Sequence, residues 1–134
     1  LLRNRQDTIL MPHIGASTAE AEENCAIMAA DQIKAFLDHG NIKNAVNFPA
    51  IELERTTDSR LTVTNRNAPG TLSHILNVLG DANLNVADLL NKSRGDIAYN
   101  LIDLNTAPSA QVLDQICAVE GVINVRYLGK PCSV

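Results

Sequence analysis

The stretch RLTVTNRNAPGTLSHILNVL (residues 60–79) decides the fold, because it carries a strand, a turn and a helix in direct succession. Leu61 to Thr64 alternates apolar and polar residues, which is typical of a half-buried strand. Pro69-Gly70 breaks this strand and opens a helix. Its apolar residues follow the helical spacing i, i+3, i+4 and i+7: Leu72, Ile75, Leu76 and Leu79. The stretch therefore predicts one β–α unit.

The sequence after this unit predicts a second, similar half. The expected elements are a second strand (84–90), a hairpin turn (93–96), a third strand (97–104), a helix capped by Ser109 and ended by Gly121, and a last strand (122–128). The order βαββαβ predicts a ferredoxin-like α+β domain. We expect a four-stranded antiparallel sheet with both helices on one face.

The sequence before residue 58 predicts a long helix and an extended linker. Thr8 to Met11 is predicted as a short buried strand, and Ser17 to Glu20 has the signature of a capping box. The helix is expected over about residues 18–39, and one apolar stripe makes it amphipathic: Cys25, Met28, Ala29, Ile33, Phe36 and Leu37. Residues 41–57 lack helical periodicity and predict an extended linker between units.

Composition excludes several classes of partner. The 134 residues carry a net charge of −4, 3% aromatic residues and no cluster of Lys and Arg, so nucleic acid and membrane surfaces are poor partners. The three cysteines form no Cys-x-x-Cys pair, which favours reduced thiols and a cytoplasmic location. The histidines lack partners at metal-ligand spacing, so no metal is expected.

Met11-Pro12-His13-Ile14-Gly15-Ala16-Ser17-Thr18 places a histidine in a tight turn just before a helix. Such a histidine could exchange protons near neutral pH, whereas a lone turn histidine without chemistry is the simpler alternative. The segment resembles the catalytic-histidine segment of the D-2-hydroxyacid dehydrogenases. This resemblance implies that His13 is a general acid–base in a full-length parent that uses NAD.

The same resemblance implies a division of the chain. Residues 1–48 would be the tail of the catalytic portion, residues 49–57 a linker and residues 58–134 a regulatory domain, so the chain is expected to be a C-terminal fragment. It contains no Gly-x-Gly-x-x-Gly fingerprint. The family also uses an Arg to hold the substrate carboxylate and a Glu to orient the histidine, and neither match appears in the twelve residues before His13. We therefore expect the fragment alone to bind no NAD and to be inactive.

The loop Asn65-Arg66-Asn67-Ala68-Pro69-Gly70 is the second candidate site. Backbone N–H groups at a helix start can hold a carboxylate, and asparagine side chains offer both donors and acceptors. The alternative is an ordinary strand-to-helix turn, because Asn, Pro and Gly favour turns in any case.

Together with Leu84-Asn85-Val86, this loop resembles the loop of an ACT domain, a sensor of small molecules in amino-acid metabolism. The resemblance implies that a small amino acid, with L-serine expected, is held by Asn65, Asn67, Pro69, Gly70 and Asn85. Serine-regulated members of the family commonly carry histidine where this chain has Asn65.

These observations predict a binding and association module. Edge strands that can pair, together with the resemblance, predict a homo-oligomer, and a dimer is the expected form. The alternative is an ACT-type domain that joins subunits without a ligand. An independent enzyme would need a nucleophile or a metal set, and the sequence offers neither.

Overall fold

A computed structural model describes residues 5–15 and 17–129 of the chain. Its elements are α1 (Ala19–His39), β1 (Ser59–Arg66), α2 (Thr71–Asp81), β2 (Val86–Arg94), β3 (Ile97–Leu104), α3 (Ala110–Cys117) and β4 (Val122–Leu128). The chain divides into two compact units, Leu1–Ile33 and Lys34–Val134, and the boundary falls within α1. Ala16 of the histidine segment and Cys132 lie outside the described residues.

In the first unit, the strand predicted over Thr8 to Met11 is wrong. These residues have no regular structure, and Ile9 is 88% exposed. A strand needs a neighbour for its backbone hydrogen bonds, and none pairs with this segment among residues 5–15 and 17–129.

The long helix is confirmed, and it begins one residue later than the predicted range. Thr18 caps it, since its hydroxyl accepts a hydrogen bond from the Ala21 backbone N–H at 3.2 Å. No described residue of α1 is buried. The free cysteines Cys25 and Cys117 are both exposed.

The second unit is built on an antiparallel sheet with strand order β2-β3-β1-β4. Along β1, the register with β3 runs from Ser59 opposite Leu104 to Arg66 opposite Ile97. The two central strands are therefore β1 and β3, and β2 and β4 are the edges. This order confirms the predicted ferredoxin-like βαββαβ arrangement.

Both helices of this unit cover the same face of the sheet, as predicted. The buried cluster there joins residues of α2 and α3 to inward residues of β1 and β3: Leu61, Val63, Ile75, Leu79, Ile102, Leu104, Val112 and Ile116. Ser109 caps α3 as expected, because its side chain accepts a hydrogen bond from the Val112 backbone N–H.

The opposite face of the sheet is also covered, and the segment predicted as a linker covers it. Ile42 and Ile51 form a β-bridge and are buried with Tyr99 and Leu101 of β3. The prediction that β1 is half-buried is therefore wrong, since every β1 residue except Arg66 is buried. The alternating pattern predicted one exposed face, and the 41–57 segment shields that face from water.

A buried ion pair fixes this segment to the sheet. Arg60 and Asp103 are both fully buried, and the guanidinium contacts the carboxylate at 2.5 Å (Nε–Oδ1) and 2.8 Å (Nη2–Oδ2). The remaining guanidinium N–H groups donate to three backbone carbonyls, those of His39, Leu53 and Glu54. All five donors of the guanidinium are thereby used.

Candidate functional site

The β1–α2 loop is held by backbone hydrogen bonds to two neighbouring turns. The Asn67 N–H donates to the Asp96 carbonyl at 2.8 Å, and its side-chain Nδ2 donates to the Gly95 carbonyl at 3.1 Å. On the other side, the Arg66 N–H donates to the Gly121 carbonyl at 2.7 Å. The loop is therefore fixed between the β2–β3 hairpin and the α3–β4 turn.

Gly70 gives the loop its exit into α2. It is the N-cap residue with φ of 85°, a left-handed conformation that glycine adopts without strain, and no side chain caps the helix. The first N–H groups of an α-helix have no partner inside the helix. This helix start therefore presents backbone N–H groups, although that of Thr71 already donates to the Ala68 carbonyl at 3.4 Å.

Asn65 differs from the other predicted site residues because it is buried. Its Nδ2 donates to the Arg66 carbonyl at 2.6 Å, and its Oδ1 accepts a hydrogen bond from Asn100 at 2.7 Å. Both ends of this carboxamide are thus occupied inside the domain. Asn67, Pro69 and Gly70 are exposed and stay accessible to a ligand.

Asn85 lies at the other end of the sheet from this loop within one chain. It immediately precedes β2, whereas the hairpin that contacts Asn67 follows β2. A nine-residue strand spans about 30 Å at about 3.3 Å per residue. One copy of the domain therefore does not bring Asn85 and Asn67 to one ligand.

His13 is in the first unit, in a bend, and is exposed. No described residue donates to or accepts from its imidazole in a hydrogen bond. His39 and His74 also show no metal arrangement, since the described residues contain no group of three or more His, Cys, Asp and Glu that could hold an ion.

Two residues near the loop were missed from the sequence, Asn91 of β2 and Asn100 of β3. Asn91 donates to Asn100 at 2.5 Å, and Asn100 donates both to Asn65 and to the Val63 carbonyl. Strand alternation contained the signal. Asn65 lies on the same face of β1 as the inward Leu61 and Val63, and Asn100 lies on the same face of β3 as the inward Ile102 and Leu104.

A shallow depression at the opposite end of the sheet is lined by His39, Arg55, Thr56, Thr57 and Asp58. The Arg55 guanidinium already donates hydrogen bonds to backbone carbonyls, which include those of Thr57, Asp58 and Leu128. This arrangement joins the end of the 41–57 segment to the end of β4. It is a structural contact, and it leaves the β1–α2 loop as the stronger candidate site.

The fold and the loop together define a small α+β domain of the ferredoxin-like class, preceded by a long helix. None of the described helices is long and apolar enough to cross a membrane. Within the described residues the sheet is wholly antiparallel, and the loop between β1 and α2 contains a single glycine, Gly70.

Over nearly its whole length the chain is homologous to proteins named D-3-phosphoglycerate dehydrogenase, which confirms the resemblance found in the sequence. It is 34% identical over 128 residues to that of Haemophilus influenzae, covering 95% of this chain and 31% of the relative. It is 30% identical over 124 residues to that of Escherichia coli K12, covering 91% of this chain and 30% of the relative. The chain spans about three tenths of the length of these relatives.

No protein-family model matches the chain. Among solved structures, the ACT domain of GTP pyrophosphokinase from Chlorobium tepidum matches 52% of this chain and 95% of that chain, with a TM-score of 0.42 and 19% identity. The quorum-quenching acylase GqqA matches 63% of this chain with a TM-score of 0.46 and 23% identity. At these scores the likeness supports no statement about function.

Proposed function

We propose that this chain is the C-terminal regulatory part of a cytoplasmic D-3-phosphoglycerate dehydrogenase, and that its ferredoxin-like domain is an ACT domain. The domain would bind a small amino acid, expected to be L-serine, and would associate with a second copy. The observation that carries the proposal is the open start of α2 at Gly70, next to the exposed Asn67. The homology described above supports the identity of the parent.

The chemistry of this loop suits a zwitterion. A carboxylate needs hydrogen-bond donors, and the N–H groups at the start of α2 supply them together with the positive end of the helix dipole. An ammonium group needs acceptors. The Asn67 Nδ2 donates to the Gly95 carbonyl, so its Oδ1 stays available as an acceptor.

Two copies would complete the site. β2 is an edge strand, and edge strands pair readily with a second chain. Asn85 and Gly95 are each five positions from Leu90 in sequence. A two-fold axis at Leu90 would therefore place Asn85 of one copy beside Gly95 of the other, which Asn67 contacts. A shared site of this kind couples effector occupancy to the geometry of the two copies.

The whole enzyme would oxidise 3-phosphoglycerate with NAD, the first step of L-serine biosynthesis. In that parent, His13 would act as the general acid–base, and the nucleotide would be bound by the part of the parent outside this chain. General acid–base assistance is worth about 10²–10⁴-fold. We therefore expect His13→Ala in the whole enzyme to lower turnover by about this factor, and an unchanged turnover would exclude the role.

A second candidate function is a purely structural dimerisation module. The observation that favours it is the internal use of Asn65, whose carboxamide has both ends bonded within the domain. An effector would then have one asparagine fewer than the ACT resemblance implies.

Calorimetric titration with L-serine separates the two candidates. We expect saturable binding by the 134-residue chain, and we expect Asn67→Ala and Asn85→Ala each to weaken it by about 1–3 kcal/mol, the usual penalty for an unpaired polar group. Asn77→Ala, on an exposed position of α2, is the matched control and should bind like the wild type.

In this titration, saturable binding of L-serine that both the Asn67 and the Asn85 variants retain would place the site elsewhere.

Light scattering at high micromolar concentration tests the association. A dimeric wild type that binds no L-serine would support the structural module. A monomeric mass would refute the shared site.

A further inference from the structure

Three asparagines form a continuous hydrogen-bonded chain across the sheet from the edge strand β2 to the β1–α2 loop. Asn91 Nδ2 donates to Asn100 Oδ1 at 2.5 Å, Asn100 Nδ2 donates to Asn65 Oδ1 at 2.7 Å, and Asn65 Nδ2 donates to the Arg66 carbonyl at 2.6 Å. We call Asn91, Asn100 and Asn65 the asparagine relay.

The direction of the relay is fixed by its surroundings. The Arg66 and Val63 carbonyls can only accept, so Asn65 and Asn100 must each direct an amide group toward them. The Asn65 Oδ1 consequently faces Asn100, and the Asn100 Oδ1 faces Asn91. The Asn91 amide supplies the donor for that last acceptor.

The relay ends at the Arg66 carbonyl, which also takes part in the first turn of the β1–α2 loop. This carbonyl accepts a second hydrogen bond from the Ala68 N–H at 2.9 Å. At the same place the pairing of β1 with β4 changes register, between Thr64 and Asn65. The ladder is therefore irregular where the loop leaves β1, and the Asn65 side chain supports the backbone there.

Two members of the relay, Asn65 and Asn100, occupy positions that an ordinary core would fill with apolar residues. Asn100 is 0% exposed, and the other inward positions of β3 on the same face are the buried Ile102 and Leu104. Buried polar groups cost free energy unless each is satisfied, and satisfied networks specify one local geometry. A merely stable sheet would not need two buried carboxamides here.

We propose that the relay is a positioning device for the effector loop, and that Asn91 links the conformation of this loop to the edge at which two copies meet. This inference rests on the proposed function for the meaning of the loop, although the link from Asn91 to the loop exists without any ligand. Asn91 is exposed, so it can be replaced without opening the core.

The first test needs no ligand and measures side-chain and backbone amide signals of the 134-residue chain by NMR. Asn91→Asp and the uncharged Asn91→Leu both remove the donor to Asn100. We expect both to shift the Asn65 carboxamide and the Asn67 backbone amide, and to speed exchange of the Asn65 carboxamide by about 2- to 10-fold, as loss of one hydrogen bond predicts. Asn124→Asp, at an exposed position of the other edge strand, is the control and should leave these signals unchanged.

The second test repeats the titration with L-serine. We expect both Asn91 variants to raise the Kd by about 2- to 10-fold, whereas Asn124→Asp keeps the wild-type value. Unchanged Asn65 and Asn67 signals in both Asn91 variants would overturn the relay, whatever the titration shows. Shifted signals with an unchanged Kd would show that the relay does not position the binding loop. If the wild type binds no L-serine, the proposed effector fails, and the NMR result still decides whether Asn91 controls the loop.

Discussion

Asp103→Asn should destabilise the second unit strongly while keeping the size of the side chain. The Asp103 carboxylate accepts four hydrogen bonds, two from the Arg60 guanidinium and two from Thr56, through its N–H and its hydroxyl. A carboxamide has one acceptor oxygen, so its NH₂ would face donors. Arg60, which is fully buried, would also lose its counter-charge.

Removing one partner of a buried pair costs about 3–5 kcal/mol. In a domain of about 100 residues, each kcal/mol lowers Tm by about 4–8 °C, so the loss should be at least about 12 °C. Urea denaturation followed by circular dichroism measures the free energy of unfolding directly. Asp38→Asn removes the exposed Lys34–Asp38 pair and is the control, which should leave Tm nearly unchanged.

The effect should depend on pH in a defined direction. Burial raises the pKa of Asp103, but hydrogen bonds from Arg60 and Thr56 outweigh it, and the pKa lies below its ordinary value. The unfolded chain therefore binds this proton more readily, and the stabilisation is present above about pH 4 and lost as pH falls through the folded pKa. The difference between wild type and Asp103→Asn should shrink over that acid range. A loss below about 1 kcal/mol at pH 7 would refute the role assigned to the pair.

Three further substitutions test the packing on both faces of the sheet. Gly40→Ala should lower Tm, because Gly40 has φ of +73° and an added Cβ would overlap the Thr62 methyl group. Gly80→Ala is the opposite case: its Cβ would meet no atom within 4 Å, and the substitution should stabilise α2 by about 0.5–1 kcal/mol in the same thermal melts. A Gly40→Ala variant as stable as the wild type would contradict this close approach. Tyr99→Phe should cost about 1 kcal/mol, because the Tyr99 hydroxyl donates to the Gly40 carbonyl at 2.9 Å. Burial raises the pKa of Tyr99, so the wild type should lose stability as pH rises above about 10, and Tyr99→Phe should lose less. Equal dependence of Tm on alkaline pH in the two proteins would exclude this cause.

The sequence by itself determined the elements of the second unit and their order. The bounds predicted for the third and fourth strands, 97–104 and 122–128, are those of β3 and β4, and Ser109 caps α3 as expected. These features depend on local chemistry: strand alternation, helical spacing, a capping hydroxyl and glycine at a turn. Each can be recognised within a few residues, because the responsible groups are close in sequence.

The sequence also identified the loop at Asn67 and Gly70 as the candidate site, but it gave no indication of how Asn65 is used. Asn65 donates to its neighbour, yet its other partner is Asn100, 35 positions away. Only the pairing of β1 with β3 brings the two carboxamides together.

The tertiary structure alone decided what covers the second face of the sheet. Residues 41–57 have the composition of an extended linker, and their role depends on Ile42 and Ile51 meeting Tyr99 and Leu101. Arginine side chains are mostly exposed in folded proteins, but Arg60 is fully buried against Asp103. A buried charge is stable only when distant groups supply all of its partners, and local sequence patterns contain no information about groups so far apart in the chain.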